Sequence, residues 1–149
     1  MSDRREKTRV LFLCTGNSCR SQMAEGWARH LKSDTTDAYS AGTEPHPVDP
    51  LAVRVMAEAG VDISTQRSTS VDELPAVDFD YVVTLCDGAK EACPYFPARV
   101  RVVHRGFDDP PKLAAGARTE DEALAHYRRV RDEIRAFVEA MPGVLESEV

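Results

Sequence analysis

The segment TRVLFLCTGNSCRSQMAEG, residues 8–26, joins an apolar run to a helical pattern through a short polar turn. Residues 8–14 form a short apolar run bounded by a glycine turn, which is typical of a buried strand. From Ser21 onward, apolar residues recur every four positions, as they do on one face of a helix. These residues are Met23, Trp27 and Leu31. The segment therefore predicts a strand, a tight turn and a helix.

Further strand patterns follow along the chain, separated by helical patterns and loops. These strands are predicted at residues 37–41, 79–86 and 98–104. Prolines make loops of GTEPHPVDP (42–50) and GFDDPP (106–111). Because strands alternate with helices, the sequence predicts an α/β fold in which a four-stranded parallel sheet is flanked by helices on both faces. In such sheets, ligands bind at the carboxyl ends of the strands.

Two further helices are predicted from their end signals. One has Asp49 as its N-cap, Pro50 at its first helical position and Gly60 as its stop. The other is a long amphipathic helix that begins near Thr119 and closes the chain. Its apolar face comprises Tyr127, Val130, Ile134, Phe137, Val138 and Met141.

Size and charge limit the classes of function. The chain has 149 residues, a formal net charge of −6 and a pI near 5.2. The negative net charge argues against nucleic-acid binding, which needs a basic surface. No apolar run approaches the roughly 18 residues of a membrane span. The N-terminus lacks the apolar core of a secretory signal. We expect one domain over residues 1–149, with residues 1–7 flexible, in a soluble, monomeric, cytoplasmic protein.

The turn between the first strand and the first helix has the pattern C-x5-R. Its backbone N–H groups and the positive end of the helix suit a tetrahedral oxyanion. The same field stabilises a thiolate, so Cys14 is predicted to be the nucleophile, with Arg20 as a two-pronged ligand for oxygens. Gly16 allows backbone angles closed to other residues, Asn17 tolerates the left-handed region, and Ser21 can hydrogen-bond the thiolate.

The predicted oxyanion-binding residues are Thr15, Gly16, Asn17, Ser18, Cys19, Arg20 and Ser21. The alternative is that Cys14 is a small buried hydrophobe that closes the strand. That interpretation leaves the glycine, the arginine and the serines of the turn unexplained.

The four cysteines fall into two pairs, Cys14 with Cys19 and Cys86 with Cys93. A disulfide framework is not expected in the cytosol, where thiols are kept reduced. A structural zinc site usually takes close pairs with about two to four intervening residues, whereas the second pair has six. We therefore expect no metal centre built from these thiols.

Five segments of the chain resemble the thioredoxin-coupled arsenate reductases, which are built on the low-molecular-weight tyrosine phosphatase fold. These segments are CTGNSCRSQMAEGW (14–27), YSAGTEPHPVDP (39–50), VVTLCDGAKEACP (82–94), GFDDP (106–110) and RVRDEI (129–134). C-x5-R alone indicates only a phosphatase-like loop. Together with two further cysteines spaced like Cys86 and Cys93, it indicates the reductase.

The resemblance implies a relay of three thiols. Cys14 attacks arsenic in arsenate while Asp109 protonates the departing oxygen, with Asp108 as the competing candidate for the acid. Cys86 then attacks Cys14 and arsenite leaves. Cys93 attacks Cys86, and thioredoxin reduces the resulting disulfide. Phosphate and sulfate are expected to compete with arsenate.

Two other classes of function stay open. A tyrosine phosphatase acting through a phosphocysteine would use Cys14, Arg20 and Asp109 in the same roles, although DDPPKLAAG (108–116) offers no aromatic residue to hold a phosphotyrosine ring. A non-catalytic thiol sensor would keep the cysteines but need neither Arg20 nor Asp109.

Some members of the resembled family bind potassium through an asparagine, a glutamate, a serine and an aspartate. Asn17, Glu25 and Ser40 match the first three, but Thr69 stands at the place of the aspartate. Because hard cations prefer carboxylate oxygens, the sequence argues against a potassium site. We expect no tightly bound cofactor, and we expect Asn17 and Glu25 to brace the loop by hydrogen bonds.

Overall fold

The computed structural model describes residues 7–86 and 96–146. Within these ranges the strands are β1 (Thr8–Leu13), β2 (Thr36–Ala41), β3 (Tyr81–Thr84) and β4 (Arg101–His104). The α-helices are α1 (Arg20–Leu31), α2 (Pro50–Glu58), α3 (Pro110–Ala114), α4 (Glu120–Glu139) and α5 (Gly143–Glu146), and a 3₁₀ helix spans Val71–Glu73. In the described part of the chain, no helix combines the length and apolarity needed to cross a bilayer.

The strands form one parallel sheet in the order β2-β1-β3-β4. The last residues of neighbouring strands are register partners, so all four strands end together. These residues are Ala41, Leu13, Thr84 and His104. The predicted four-stranded parallel α/β fold is confirmed, and Cys14 and Cys86 follow two adjacent strands at this carboxyl edge.

Alternating side chains of the strands serve two cores. Val10, Phe12 and Val83 pack with buried residues of α1, α2 and α4 in the larger core. Leu11, Leu13, Val82, Ala41 and Phe79 form a smaller core on the other side, against which Val71 of the 3₁₀ helix and loop residues Leu74, Val77, Phe96 and Ala98 pack. This alternation is what strands buried on both faces require.

The helix ends follow the predicted signals in two cases. The Asp49 side chain accepts a hydrogen bond from Leu51 N–H at 2.9 Å, and Gly60, with φ 87°, follows the end of α2. Thr119 caps α4 by accepting from Glu122 N–H. The face of α4 is as expected, although Phe137 is only partly buried and Met141 lies beyond the helix end.

The predicted loop at residues 106–111 is wrong in its last part, because α3 begins at Pro110. Proline suits the first helical position, where its missing N–H has no partner to lose. β3 is also shorter than the predicted 79–86. Cys93 and most of the predicted flexible segment 1–7 lie outside the described residues.

Candidate active site

The loop of residues 14–19 connects β1 to α1 at the carboxyl edge of the sheet. The side chain of the N-cap residue, Cys19, makes no capping hydrogen bond, and the first turn of α1 contains no acidic residue. The positive dipole end of the helix is therefore not offset by a carboxylate of its own first turn, which favours a bound anion at this end. This is the position at which the sequence predicted the oxyanion.

The segment that follows β2 holds the outer side of this loop. The carbonyl oxygens of Thr15, Gly16 and Ser18 accept hydrogen bonds from the N–H groups of Glu44, His46 and Asp49, at 3.0, 2.8 and 2.8 Å. A trans peptide points its N–H away from its carbonyl. These bonds therefore direct the loop's N–H groups away from residues 44–49, toward the opposite side of the loop. The backbone is thereby preorganised to donate to one bound anion.

A chain of hydrogen bonds ends at the Cys14 sulfur. Thr69 N–H donates to Asn17 Oδ1 at 2.8 Å, and Asn17 Nδ2 donates to Ser21 Oγ at 2.7 Å. Ser21 Oγ lies 2.9 Å from Cys14 Sγ. Since Ser21 Oγ accepts from Asn17, its hydroxyl proton remains available to a Cys14 thiolate. Asn17 has the left-handed backbone, φ 46°, that the sequence suggested.

Arg20 is buried, with 4% of its surface exposed, and lies between the loop and the ends of β3 and β4. Its Nη1 donates to the carbonyls of Phe107 at 3.0 Å and Leu85 at 3.4 Å. Its Nη2 lies 3.8 Å from Asp109 Oδ2. A guanidinium held in this way has its position fixed before any ligand arrives.

The two candidate acids occupy different environments. Asp109 faces Arg20, and its side chain is 34% exposed. Asp108 is 54% exposed and pairs instead with Arg129 of α4, with 3.0 Å between Oδ2 and Nη2. The structure thus brings Asp109 to the predicted site and directs Asp108 away from it.

The other cysteines differ in their surroundings. Cys19 is buried in the larger core, where burial raises the pKa of its thiol well above the usual value and the Asp49 carboxylate adds to the shift. Only the backbone of Cys19 is thus suited to the loop's anion. Cys86 is fully buried and disulfide-bonded, whereas Cys14 and Cys19 are free thiols.

The positions that correspond to the family's potassium ligands do not suit potassium in this chain. Glu25 Oε1 accepts from Ser40 Oγ at 2.6 Å, and Glu25 Oε2 pairs with Arg29 at 2.7 Å. Thr69 presents a backbone N–H to Asn17 Oδ1 rather than an oxygen ligand. The oxygens are thus engaged within the chain, and a cation close to Arg29 would be repelled. As expected, Asn17 braces the loop, whereas the partners of Glu25 are Ser40 and Arg29.

Gly16 has a different role from the one the sequence suggested. Among the described glycines, only Gly60 has a positive φ, so Gly16 does not need unusual backbone angles. A Cβ atom at Gly16 would instead lie 3.1 Å from His46 Cδ2. The absence of a side chain lets the segment after β2 approach the loop.

Gly42, which sequence reasoning missed, packs directly against the loop backbone. A Cβ atom there would lie 2.5 Å from Thr15 O, 2.9 Å from Asn17 N and 2.9 Å from Cys14 O. The only signal in the sequence is a glycine directly after a strand, which is typical of a close backbone approach.

We expect Gly42→Ala to lower the free energy of unfolding by about 1–3 kcal/mol, because backbone atoms on the loop must move. Phosphate affinity should fall with it. The matched control is Gly116→Ala, where the nearest atom to a new Cβ is Leu113 O at 3.8 Å. Denaturant unfolding and calorimetric titration with phosphate measure both effects. Equal behaviour of the two variants would contradict this role of Gly42.

Comparisons with known proteins agree with this geometry. The sequence model of a family described as low molecular weight phosphotyrosine protein phosphatase matches residues 9–148. A protein of Halalkalibacterium halodurans named arsenate reductase is 53% identical over 84% of this chain and 88% of its own length. Another of that name from Bacillus licheniformis is 52% identical over 86% and 90%. A solved structure described as an arsenate reductase in the phosphate binding state matches with TM-score 0.75 and 31% identity over 93% and 99%.

Proposed function

The chain belongs to the low molecular weight phosphotyrosine protein phosphatase family, and from this we propose that it works as an arsenate reductase. The observation that carries the proposal is the position of Cys86. Leu85, directly before it, donates its N–H to Leu13 O, directly before Cys14, at 2.9 Å. A phosphatase needs one thiol at its anion loop, whereas a reductase needs a second thiol that can reach the first.

Arsenate binding is assigned to the loop N–H groups and to Arg20. In the first step the Cys14 thiolate forms a sulfur–arsenic bond, and one arsenic–oxygen bond breaks. The leaving oxygen departs as water after it receives a proton from Asp109. The fixed guanidinium and N–H groups supply the charge stabilisation that this step requires.

Reduction is assigned to the second thiol. The Cys86 thiolate attacks the Cys14 sulfur, and the electrons of the sulfur–arsenic bond pass to arsenic, which leaves as arsenite. Cys93 then attacks Cys86, a Cys86–Cys93 disulfide forms and Cys14 leaves as a thiolate. A dithiol of the thioredoxin class returns this disulfide to two thiols. A disulfide-bonded Cys86 beside a free Cys14 supports this last oxidised state.

The second candidate is phosphatase activity through a phosphocysteine, which the shared loop with Cys14 and Arg20 favours. α3 begins directly after Asp109, and the segment 110–116 supplies no aromatic side chain to flank a phosphotyrosine ring. Aryl phosphate hydrolysis is therefore expected to be the weaker activity.

The deciding experiment supplies thioredoxin, thioredoxin reductase and NADPH to the protein. We expect arsenate to drive NADPH consumption over many turnovers, and phosphate to slow it because both anions use the same loop. The control is hydrolysis of an aryl phosphate by the same preparation. No arsenate-dependent NADPH consumption together with efficient aryl phosphate hydrolysis would establish the phosphatase instead.

A further inference from the structure

Gln22 is a buried amide in the first turn of α1 and has no role in the reaction described above. It has no exposed surface. Its Nε2 donates to Asn17 O in the loop and to Arg67 O in the segment that precedes the 3₁₀ helix, both at 3.0 Å. Gln22 thus joins the anion loop to a segment 45 residues away from it in sequence.

Gln66 fixes the orientation of the Gln22 amide. Gln66 Nε2 donates to Gln22 Oε1 at 2.8 Å and to Gln22 O at 3.0 Å. A flipped Gln22 amide would place Oε1 against two carbonyl oxygens and Nε2 against the NH₂ group of Gln66. Because buried polar groups without partners are costly, one orientation is strongly preferred.

The bond from Gln22 acts on a particular peptide of the loop. The carbonyls of Thr15, Gly16 and Ser18 are held by backbone N–H groups, whereas the Asn17 carbonyl is held by this side chain. The Asn17–Ser18 peptide is trans, so a carbonyl turned toward Gln22 turns the Ser18 N–H to the opposite side, where the anion binds. Asn17 is also the loop residue with positive φ, a conformation that neighbouring contacts must maintain.

We infer that Gln22 is a positioning residue for oxyanion binding, with Gln66 acting through it. Gln22 holds the Asn17–Ser18 peptide so that its N–H faces the substrate. This role rests on the proposed function in one respect only, which is that the loop binds a tetrahedral oxyanion.

The test measures phosphate binding by calorimetry in three variants. Gln22→Met keeps the length of the side chain but removes both donated bonds, and the phosphate dissociation constant is expected to rise about tenfold or more. Gln66→Met leaves Gln22 in place but unlocks its amide, and a rise of about threefold is expected. In the double variant the dissociation constant should equal that of Gln22→Met alone, because Gln66 acts through Gln22.

A matched control separates a specific loss of phosphate affinity from a general loss of stability. Ile134→Val shortens a fully buried side chain in α4 and should lower the unfolding temperature without changing phosphate affinity. Arsenate kinetics give a second readout, in which Gln22→Met should raise KM by more than it lowers kcat. Gln66 is only half-buried, so Gln66→Met is expected to fold and tests the role even if Gln22→Met does not fold.

Gln22→Met with phosphate affinity within about twofold of the wild type would overturn the inference, as would losses from the two single variants that multiply in the double variant. Failure of the wild type to bind phosphate would overturn it as well. A wild type that binds phosphate but does not reduce arsenate would overturn only the proposed function.

Discussion

Cys14→Ser is expected to abolish arsenate reduction, and arsenate should then produce no disulfide in the fully reduced protein. A serine hydroxyl in the same place is not ionised near neutral pH and cannot form the sulfur–arsenic bond on which both later thiols depend. The Ser21 hydroxyl, 2.9 Å from the Cys14 sulfur, is placed to stabilise a thiolate and gives no such help to a serine. Peptide mapping after a single pulse of arsenate detects any disulfide.

The other two thiols should fail at later and different steps. Cys86→Ser should form the arsenic adduct on Cys14 and stall before arsenite leaves. Cys93→Ser should complete one turnover and end with a Cys14–Cys86 disulfide, because nothing releases Cys14. Both variants keep the anion loop, so their aryl phosphate hydrolysis should match the wild type and serves as the control for folding.

One experimental outcome would contradict the relay of three thiols. Multiple turnovers by Cys93→Ser with thioredoxin as the sole reductant would show that a third thiol is unnecessary. A mechanism with two thiols, Cys14 with either Cys86 or Cys19, would then replace it. Burial raises the pKa of the Cys19 thiol, which lowers the fraction of Cys19 present as the attacking thiolate.

The second large effect is expected at Asp109. Asp109→Asn removes the proton donor for the departing oxygen, so formation of the arsenic adduct should slow by about 10²–10⁴-fold. Exchange between the thiols needs no such acid and should continue at the wild-type rate. Rapid-mixing kinetics with one equivalent of arsenate separates the two steps.

Asp108→Asn is the matched control, since it makes the same chemical change one residue away. Asp108 pairs with Arg129 at the surface, and exposed pairs of this kind contribute only about 0–1 kcal/mol to stability. We expect adduct formation to stay near the wild-type rate. A large loss in Asp108→Asn with little loss in Asp109→Asn would reverse the assignment.

The sheet could be predicted from sequence because its two central strands, β1 and β3, lie in short apolar runs bounded by turn residues. The ends of β3 could not, since Phe79 and Cys86 are buried but lie outside the strand Tyr81–Thr84, and an apolar pattern reports burial rather than strand bounds. The prolines at the start of α3 led to the wrong prediction of a loop there, for a related reason. They exclude a helix interior but favour its first positions.

The centre of the candidate site was predictable for a different reason. Cys14 and Arg20 belong to one short stretch whose residue types carry the chemistry. The residues that hold this stretch in place come from distant segments, and their residue types do not indicate that role. Thr69 contributes only a backbone N–H, and Gly42 contributes only the absence of a side chain. Such roles depend on long-range packing, which local patterns do not encode.

The hydrogen bonds from residues 44–49 to the loop carbonyls also have a thermodynamic consequence. The loop can present its N–H groups only while that segment is packed beside it, so the unfolded chain has no comparable affinity for an oxyanion. A ligand that binds only the folded state shifts the folding equilibrium toward that state, by about 2.7 kcal/mol at a hundred times its dissociation constant. Inorganic phosphate would then protect the protein from unfolding while it competes with the substrate. Phosphate would thus lower the rate at which each protein molecule reduces arsenate, and it would raise the number of molecules that remain folded.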